Sequence, residues 1–342
     1  MLDELERRAP ALAGRPIASV FFGGGTPSLW EPRELGRVLA AIRRAFRDDA
    51  CAEVEVTVEC NPTSFDGERA RALLDAGVNR VSIGVQSLDA ERLVFLGRLH
   101  DVDGGLRALE SALAAGVPRV SADLIFGVAE QSPDDAVREV TRVASLGPTH
   151  MSAYALTIEP GTEFGALAKK GKLPLASEDS VADSLIAVAE SLGLLGFEHY
   201  EISNYAKAGH YSVHNLGYWT GRDYLGLGCG AWGTLTLGGR RERYRNAPSP
   251  ERYLSQPAVE SVREPIDAET ALRERLMLGL RLRDGLDLDR AALELGLEAW
   301  TPERRRAAER LEGTGRLGKN GGRIWIPEPS WRVADGIIAA LI

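Results

Sequence analysis

Short apolar segments alternate with helical ones through the first two thirds of the chain. Five apolar or β-branched segments predict strands: Ile17–Phe22, Val54–Glu59, Arg80–Val85, Val120–Phe126 and His150–Leu156. Between the strands, apolar residues recur at helical spacing and place one face of each segment against a core. This alternation predicts βαβ units around a parallel sheet. Five strands in this order fit a doubly wound sheet or a full or partial (β/α) barrel, and periodicity alone does not choose between them.

The alternation ends after about Thr157, which suggests three regions. Residues 1–210 carry the strands and helices. Residues 211–265 predict a β segment rich in glycine and aromatic residues, with a hairpin turn at Gly238–Gly239. Residues 266–342 predict helices, a short hairpin through Asn320–Gly322 and a terminal helix. This last pattern suggests a small helical, winged-helix-like module.

Composition and charge exclude several classes of protein. The 342 residues are 44% hydrophobic and 26% charged, which is typical of a globular protein, and the net charge of −8 argues against nucleic-acid binding. The arginines near Arg304–Arg310 therefore indicate a solvated helix face rather than a DNA contact. No apolar run is long enough to span a membrane. The three cysteines, at positions 51, 60 and 229, favour a reducing cytoplasm and match no compact metal motif.

Polar residues stand at the ends of the predicted strands. A glycine-rich turn, Gly23–Thr26, follows the first strand; Glu59 ends the second, Gln86 the third, and Asp123 lies within the fourth. An unpaired buried carboxylate costs several kcal/mol, roughly its desolvation penalty. Because the carboxyl ends of parallel strands meet on one face, these groups predict a polar ligand site there. The turn lacks both dinucleotide and Walker spacing, which disfavours a nucleotide phosphate.

Four motifs, in this order, resemble the core of the coproporphyrinogen oxidase-like radical S-adenosylmethionine (SAM) family: Phe21–Ser28, Val58–Pro62, Arg80–Leu88 and Asp123–Gly127. Tyr200–Ala206 and His214–Trp219 resemble more narrowly its HemW branch of haem chaperones. The resemblance covers nearly the whole chain. It implies an α/β fold, an incomplete (β/α) barrel of the radical SAM type over residues 1–210, followed by the C-terminal helical, winged-helix-like module at 266–342.

The resemblance also implies two ligands. SAM would contact Gly23, Gly24, Gly25, Thr26, Glu59, Gln86, Arg98 and Asp123. Haem would bind at the HNxxYW motif, formed by His214, Asn215, Tyr218 and Trp219, with His214 as the axial iron ligand. From the residues alone, His214 could equally cap a turn or hydrogen-bond within a core. The other histidines (His100, His150, His199 and His210) carry no such implication.

The family's C-x3-C-x2-C segment, which holds a [4Fe–4S] cluster, does not occur in this sequence. The expectation is that residues 1–210 lack the first strand of the barrel, and that the chain as given assembles no usual cluster and performs no radical chemistry. Either the start codon is assigned too late or the chain is a true truncation. Whether the protein is an enzyme therefore stays open.

Three functions follow from these implications. The first is a cytoplasmic haem chaperone that binds haem through His214 and delivers it to an acceptor protein. The second is oxygen-independent coproporphyrinogen III oxidation, a SAM-dependent radical decarboxylation. The third is a cluster-free remnant without catalysis. The identity of the acceptor and the formation of a homodimer are left open.

Overall fold

The computed structural model describes residues 1–48 and 53–342, so Cys51 lies outside the described residues. The chain divides into two compact units. The sheet unit comprises Phe21–Pro32 and Val56–Ser212. The three-segment unit comprises Met1–Val20, Arg33–Glu55 and Val213–Ile342.

The strands and helices are numbered in chain order. The strands are β1 Pro16–Ile17, β2 Ser19–Phe22, β3 Arg47–Asp48, β4 Glu55–Cys60, β5 Arg80–Gln86, β6 Arg119–Phe126, β7 His150–Ala155, β8 Glu198–Glu201, β9 Asn204–Ala206, β10 Trp232–Leu237, β11 Arg240–Asn246, β12 Glu260–Ile266, β13 Leu286–Asp287, β14 Gly318–Asn320 and β15 Arg323–Trp325. The α-helices are α1 Leu2–Arg8, α2 Pro32–Ala45, α3 Gly67–Asp75, α4 Ala90–Phe95, α5 Val102–Ala114, α6 Pro133–Ala144, α7 Glu163–Lys169, α8 Glu178–Leu194, α9 Val213–Trp219, α10 Pro250–Ser255, α11 Ala268–Gly279, α12 Leu288–Leu295, α13 Pro302–Gly313 and α14 Ala334–Leu341.

A seven-stranded open sheet has the order β2-β4-β5-β6-β7-β9-β8. Neighbours from β4 to β7 are parallel, whereas β9 is antiparallel to both β7 and β8. The predicted alternation of strands and helices is therefore confirmed as an open α/β sheet. The predicted strand Ile17–Phe22 differs, because the structure divides it: β1 pairs with β3, and β2 joins the large sheet.

The core of the sheet unit explains why its strands are so apolar. Parallel strands are covered by helices on both faces, so their side chains are buried on either side. Val58 and Ile83 are fully buried on β4 and β5, and α6 packs beside α8. Helix α6 begins at a capping box in which Ser132 and Asp135 each accept a backbone N–H of the other.

The three-segment unit contains a three-stranded antiparallel sheet, β10-β11-β12, and the C-terminal module. In that module, helices α11–α13 accompany the small sheet β13-β15-β14, and α14 follows. The expected solvated arginine face is wrong at Arg304, which is 6% exposed. Its guanidinium donates hydrogen bonds to the carbonyls of Leu341 and Ala299 at 2.8 and 2.7 Å, and so joins α13 to the end of α14.

Candidate functional site

The glycine-rich turn after β2 is held by backbone conformation and by one carboxylate. Gly24 and Gly25 have φ values of +80° and +66°, in the left-handed region that favours glycine. A Cβ on Gly23 would lie 2.3 Å from the Phe21 ring, so no side chain fits there without displacement. The Gly24 N–H donates to Glu59 Oε2 at 3.0 Å, which joins the turn to the end of β4.

Two carboxylates lie within electrostatic reach of each other at this site. Burial raises the pKa of Glu59, the Gly24 N–H lowers it, and repulsion by Asp123 raises it further. Burial also raises the pKa of Asp123, and hydroxyl groups oppose that rise, foremost Ser82. The Ser82 hydroxyl lies 2.8 and 3.1 Å from the two Asp123 oxygens, and Ser121 donates to Oδ1 at 3.2 Å. Glu59 and Asp123 therefore belong to one polar site.

Gln86 ends β5 with a strained backbone. Its φ is +66°, and the register between β5 and β6 shifts between Ile83 and Gln86. A non-glycine residue in this region is uncommon and typical of functional sites. A Cβ on Gly84 would lie 2.6 Å from the Gln86 amide nitrogen, so the glycine makes room for this side chain.

Sequence reasoning missed the carboxylate that organises the loop after Gln86. Glu139, on α6, is 8% exposed. It accepts hydrogen bonds from the Ser87 hydroxyl at 2.8 Å, the Leu88 N–H at 2.6 Å and the Arg92 guanidinium at 2.7 Å. No periodicity indicates this role, because Glu139 looks like an ordinary polar position on an amphipathic helix.

Thr26 and Arg98 are the other two residues predicted to contact SAM. Thr26 begins the short helical turn Pro27–Leu29, and its carbonyl accepts the Leu29 N–H at 3.0 Å. Arg98 is exposed in the turn after α4. In the described part of the chain its guanidinium forms no hydrogen bond with Glu59, Gln86 or Asp123, so the structure does not bring Arg98 to those groups.

The HNxxYW motif lies on α9, a helix of seven residues in a region for which the sequence predicts β structure. The carboxylate of Glu55, a fully buried residue, accepts the N–H groups of Val213 and His214 at 3.1 and 2.9 Å. A negative charge at a helix N-terminus satisfies free N–H groups and interacts favourably with the helix dipole. The Ser19 hydroxyl lies 3.4 Å from His214 Nδ1.

An aromatic ring contacts His214, and further aromatic groups lie on or next to the same helix. The ring of Tyr218 meets the imidazole edge-on at 4.8 Å and meets Tyr224 at the same distance. Burial raises the pKa of Tyr218 to about 12, so its phenol stays protonated near neutral pH. Trp219 lies under the Arg281 guanidinium at 4.8 Å, and Asn215 is partly buried. The four motif residues are thus gathered on one short helix.

The described residues contain neither a cluster of metal ligands nor a membrane-spanning helix. Among them, no three histidine, cysteine or acidic side chains cluster to hold a metal ion. Cys60 is buried, which raises its thiol pKa, and Cys229 is exposed in the three-segment unit. No helix within residues 1–48 and 53–342 is long and apolar enough to cross a membrane.

Comparison with known proteins gives the family. Residues 2–142 match the profile of the Radical SAM superfamily, and residues 266–333 match the HemN C-terminal domain. The heme chaperone HemW of Escherichia coli K12 is 36% identical over 265 residues, 77% of this chain and 68% of that protein. The heme chaperone HemW of Mycobacterium tuberculosis H37Rv is 34% identical over 343 residues, 99% of this chain and 84% of that protein.

The solved structure of coproporphyrinogen III oxidase (HemN) from Escherichia coli, a radical SAM enzyme, has the same fold. Its TM-score is 0.80 at 20% identity, with coverage of 99% of this chain and 81% of that one. The predicted incomplete radical SAM architecture with a C-terminal module is thereby confirmed. The chain belongs to the HemW family of the Radical SAM superfamily.

Proposed function

We propose that this protein is a haem chaperone, which binds haem through His214 and transfers it to an acceptor protein in the cytoplasm. The observation that carries the proposal is the fixed position of His214. Its backbone is held by the Glu55 carboxylate, and its ring nitrogen Nδ1 faces the Ser19 hydroxyl. Two HemW relatives above 30% identity, both named heme chaperones, support the same function.

As the iron ligand, His214 would use one nitrogen of its imidazole ring. A neutral imidazole binds a metal through one nitrogen while the other pairs with a hydrogen-bonding group that sets its orientation. The Ser19 hydroxyl, 3.4 Å from Nδ1, is such a group for His214. Tyr218 and Trp219 on the same helix supply aromatic surfaces for a porphyrin, and Asn215 supplies an amide.

The rim of the sheet unit fits SAM. Gly23, Gly24, Gly25 and Thr26 would meet its methionyl end, because an added Cβ on Gly24 or Gly25 would touch no atom within 4 Å and the backbone there can be approached. Glu59 and Asp123 would bind polar SAM groups, and Gln86 and Arg98 would complete the SAM environment. When bound, SAM supplies a reactive sulfonium. The cysteines of this sequence do not fit a [4Fe–4S] ligand set, and we assign no radical step.

Titration with haem and with iron-free coproporphyrin III separates a haem chaperone from a porphyrin-processing enzyme. Wild-type protein should bind one haem per chain. His214→Ala should bind haem at least about tenfold more weakly, the loss of one strong ligand interaction of about 1.4 kcal/mol or more. The His210→Ala control should bind like wild type. The affinity for the iron-free porphyrin should be the same in both variants as in the wild type. Equal binding of both porphyrins, unaffected by His214→Ala, would contradict the proposal and favour a tetrapyrrole substrate site.

A further inference from the structure

His150 is a buried imidazole with two partners. It lies on β7 and is 1% exposed. Its Nδ1 is 2.9 Å from the Ser121 hydroxyl, and its Nε2 is 2.8 Å from the Tyr200 hydroxyl. Both ring nitrogens therefore hold specific hydrogen bonds within the sheet unit, although the sequence gives this histidine no role.

Each partner of His150 continues the hydrogen-bond chain. On one side, Ser121 donates to Asp123 Oδ1 at 3.2 Å, the carboxylate of the proposed SAM site. On the other side, Tyr200 accepts the Ser212 N–H at 3.4 Å, and its ring stacks on Tyr211 at 4.4 Å. We call this hydrogen-bonded series the His150 chain; its members are Asp123, Ser121, His150, Tyr200 and Ser212.

Counting protons gives the His150 chain a direction. When Asp123 is ionised, it accepts the single hydroxyl proton of Ser121, and Ser121 in turn accepts a proton from Nδ1. Nε2 is then the acceptor of the Tyr200 hydroxyl proton. The ring is neutral in this arrangement, in agreement with burial and the nearby charges of Arg80 and His210, which lower its pKa well below 6.5.

We propose that His150 is a positioning residue of the SAM site, whose Nδ1–H holds the Ser121 hydroxyl against Asp123 while its Nε2 holds Tyr200 beside Tyr211–Ser212. The inference rests on the proposed binding of SAM at Asp123. The two nitrogens have separate tasks. Nδ1 sets the hydrogen bonding of the Asp123 carboxylate through Ser121, and Nε2 orders residues 200–212 through Tyr200.

Two substitutions separate these tasks. An asparagine amide can replace Nδ1, and a glutamine amide can replace Nε2, because each places its nitrogen near the corresponding ring position. His150→Asn should bind SAM within about twofold of wild type, whereas His150→Gln should bind it about tenfold more weakly, because the Ser121 hydroxyl that donates to Asp123 loses the group that holds it in place. Tyr200→Phe should leave SAM affinity unchanged. Calorimetric titration with SAM measures all three.

His199 provides matched controls. It is also buried in the sheet, where its Nε2 lies 3.1 Å from the Ile202 carbonyl and its ring stacks on Tyr205. His199→Asn and His199→Gln should both leave SAM affinity unchanged. Equal SAM affinities for His150→Asn and His150→Gln, whether both weak or both wild-type, would overturn the proposal.

A second measurement is independent of SAM. Nitrogen-15 NMR of the wild-type protein reports which ring nitrogen of His150 carries the proton. A protonated Nδ1 and an unprotonated Nε2 are expected; the opposite tautomer or a doubly protonated ring at neutral pH would overturn the inference. If wild-type protein does not bind SAM but shows the expected tautomer, the SAM proposal fails and the His150 chain stands.

Discussion

The two proposed ligand sites are built in different ways. In the sheet unit, the groups proposed to bind SAM lie at or near the carboxyl ends of successive strands, and the register of the sheet places them: Glu59 lies opposite Ser82, and Asp123 opposite Ser152. In the three-segment unit, His214 lies on a seven-residue helix, shorter than isolated helices that are stable in water. Groups distant in sequence, Glu55 and Ser19, hold it.

Because of this difference, the two sites should respond differently to substitution. Backbone hydrogen bonds on both sides support the strand ends, so a single side-chain change should alter the ligand site more than the fold. Helix α9 depends on its cap, and loss of that cap should remove both local stability and haem affinity. The predictions below test this contrast, beginning with the largest expected effect.

Glu55→Ala should lower the free energy of unfolding by about 2–3 kcal/mol, because two buried N–H groups lose a charged acceptor. Haem affinity should fall at least about tenfold, because His214 loses its fixed backbone. Urea denaturation and haem titration measure the two effects. Glu110→Gln, an exposed change on α5, is the control and should alter neither. Unchanged haem affinity in Glu55→Ala would show that the cap does not hold the site.

Gly24→Ala should cost about 1–2 kcal/mol of stability, because alanine is strained at a φ of +80°. Gly14 is a matched control, with a φ of +81° and similarly open space around an added Cβ. Gly14→Ala should cost the same stability. Only Gly24→Ala should weaken SAM binding, which calorimetry measures. Equal SAM affinities for the two variants would show that the glycine turn does not contact SAM.

The stability of the sheet unit should fall in mild acid through His150. Its pKa is well below 6.5 in the folded protein and near 6.5 when unfolded, so the unfolded chain binds the extra proton. The contribution of His150 is fully present above about pH 6.5 and is lost as the pH falls. Each pH unit below that value should cost about 1.4 kcal/mol, until the pH reaches the pKa of His150 in the folded protein. Urea denaturation at several pH values should show a shallower slope for His150→Asn, and parallel slopes would contradict this account.

Ser19→Ala should have the smallest effect. Its contact with His214 Nδ1 is long, at 3.4 Å, so the fold should keep its stability and haem affinity should fall only about two- to threefold, less than 1 kcal/mol. Haem titration measures the change, with the exposed Ser255→Ala as control. A loss as large as that of His214→Ala would instead give Ser19 a direct role in binding haem.

The sequence predicts the sheet because each strand and helix is indicated by a pattern of neighbouring residues. β-Branched runs and helical stripes repeat through β4–β7, and Glu59, Gln86 and Asp123 stand out as polar groups at or near the ends of apolar strands. Glu139 and His150 do not stand out, because their partners lie far along the chain: Ser87 is 52 residues from Glu139, and Tyr200 is 50 residues from His150. Such hydrogen bonds exist only once the sheet has formed.

For a related reason, the sequence does not predict the helix that carries the HNxxYW motif. Seven residues span about two turns, too few for a helical period to be distinguished from a glycine- and aromatic-rich strand. Its cap, Glu55, looks in the sequence like a polar residue at the start of an apolar strand. The burial of Arg304 was missed in the same way, since its acceptor, the Leu341 carbonyl, lies on another helix.

The most direct test of His214 as the iron ligand is the spectrum of the ferric haem complex with and without added imidazole. Wild-type protein should give the absorption and electron paramagnetic resonance signals of a histidine-ligated haem. His214→Ala should lose these signals, and free imidazole should restore them. Identical spectra for wild type and His214→Ala, with no response to imidazole, would contradict the account.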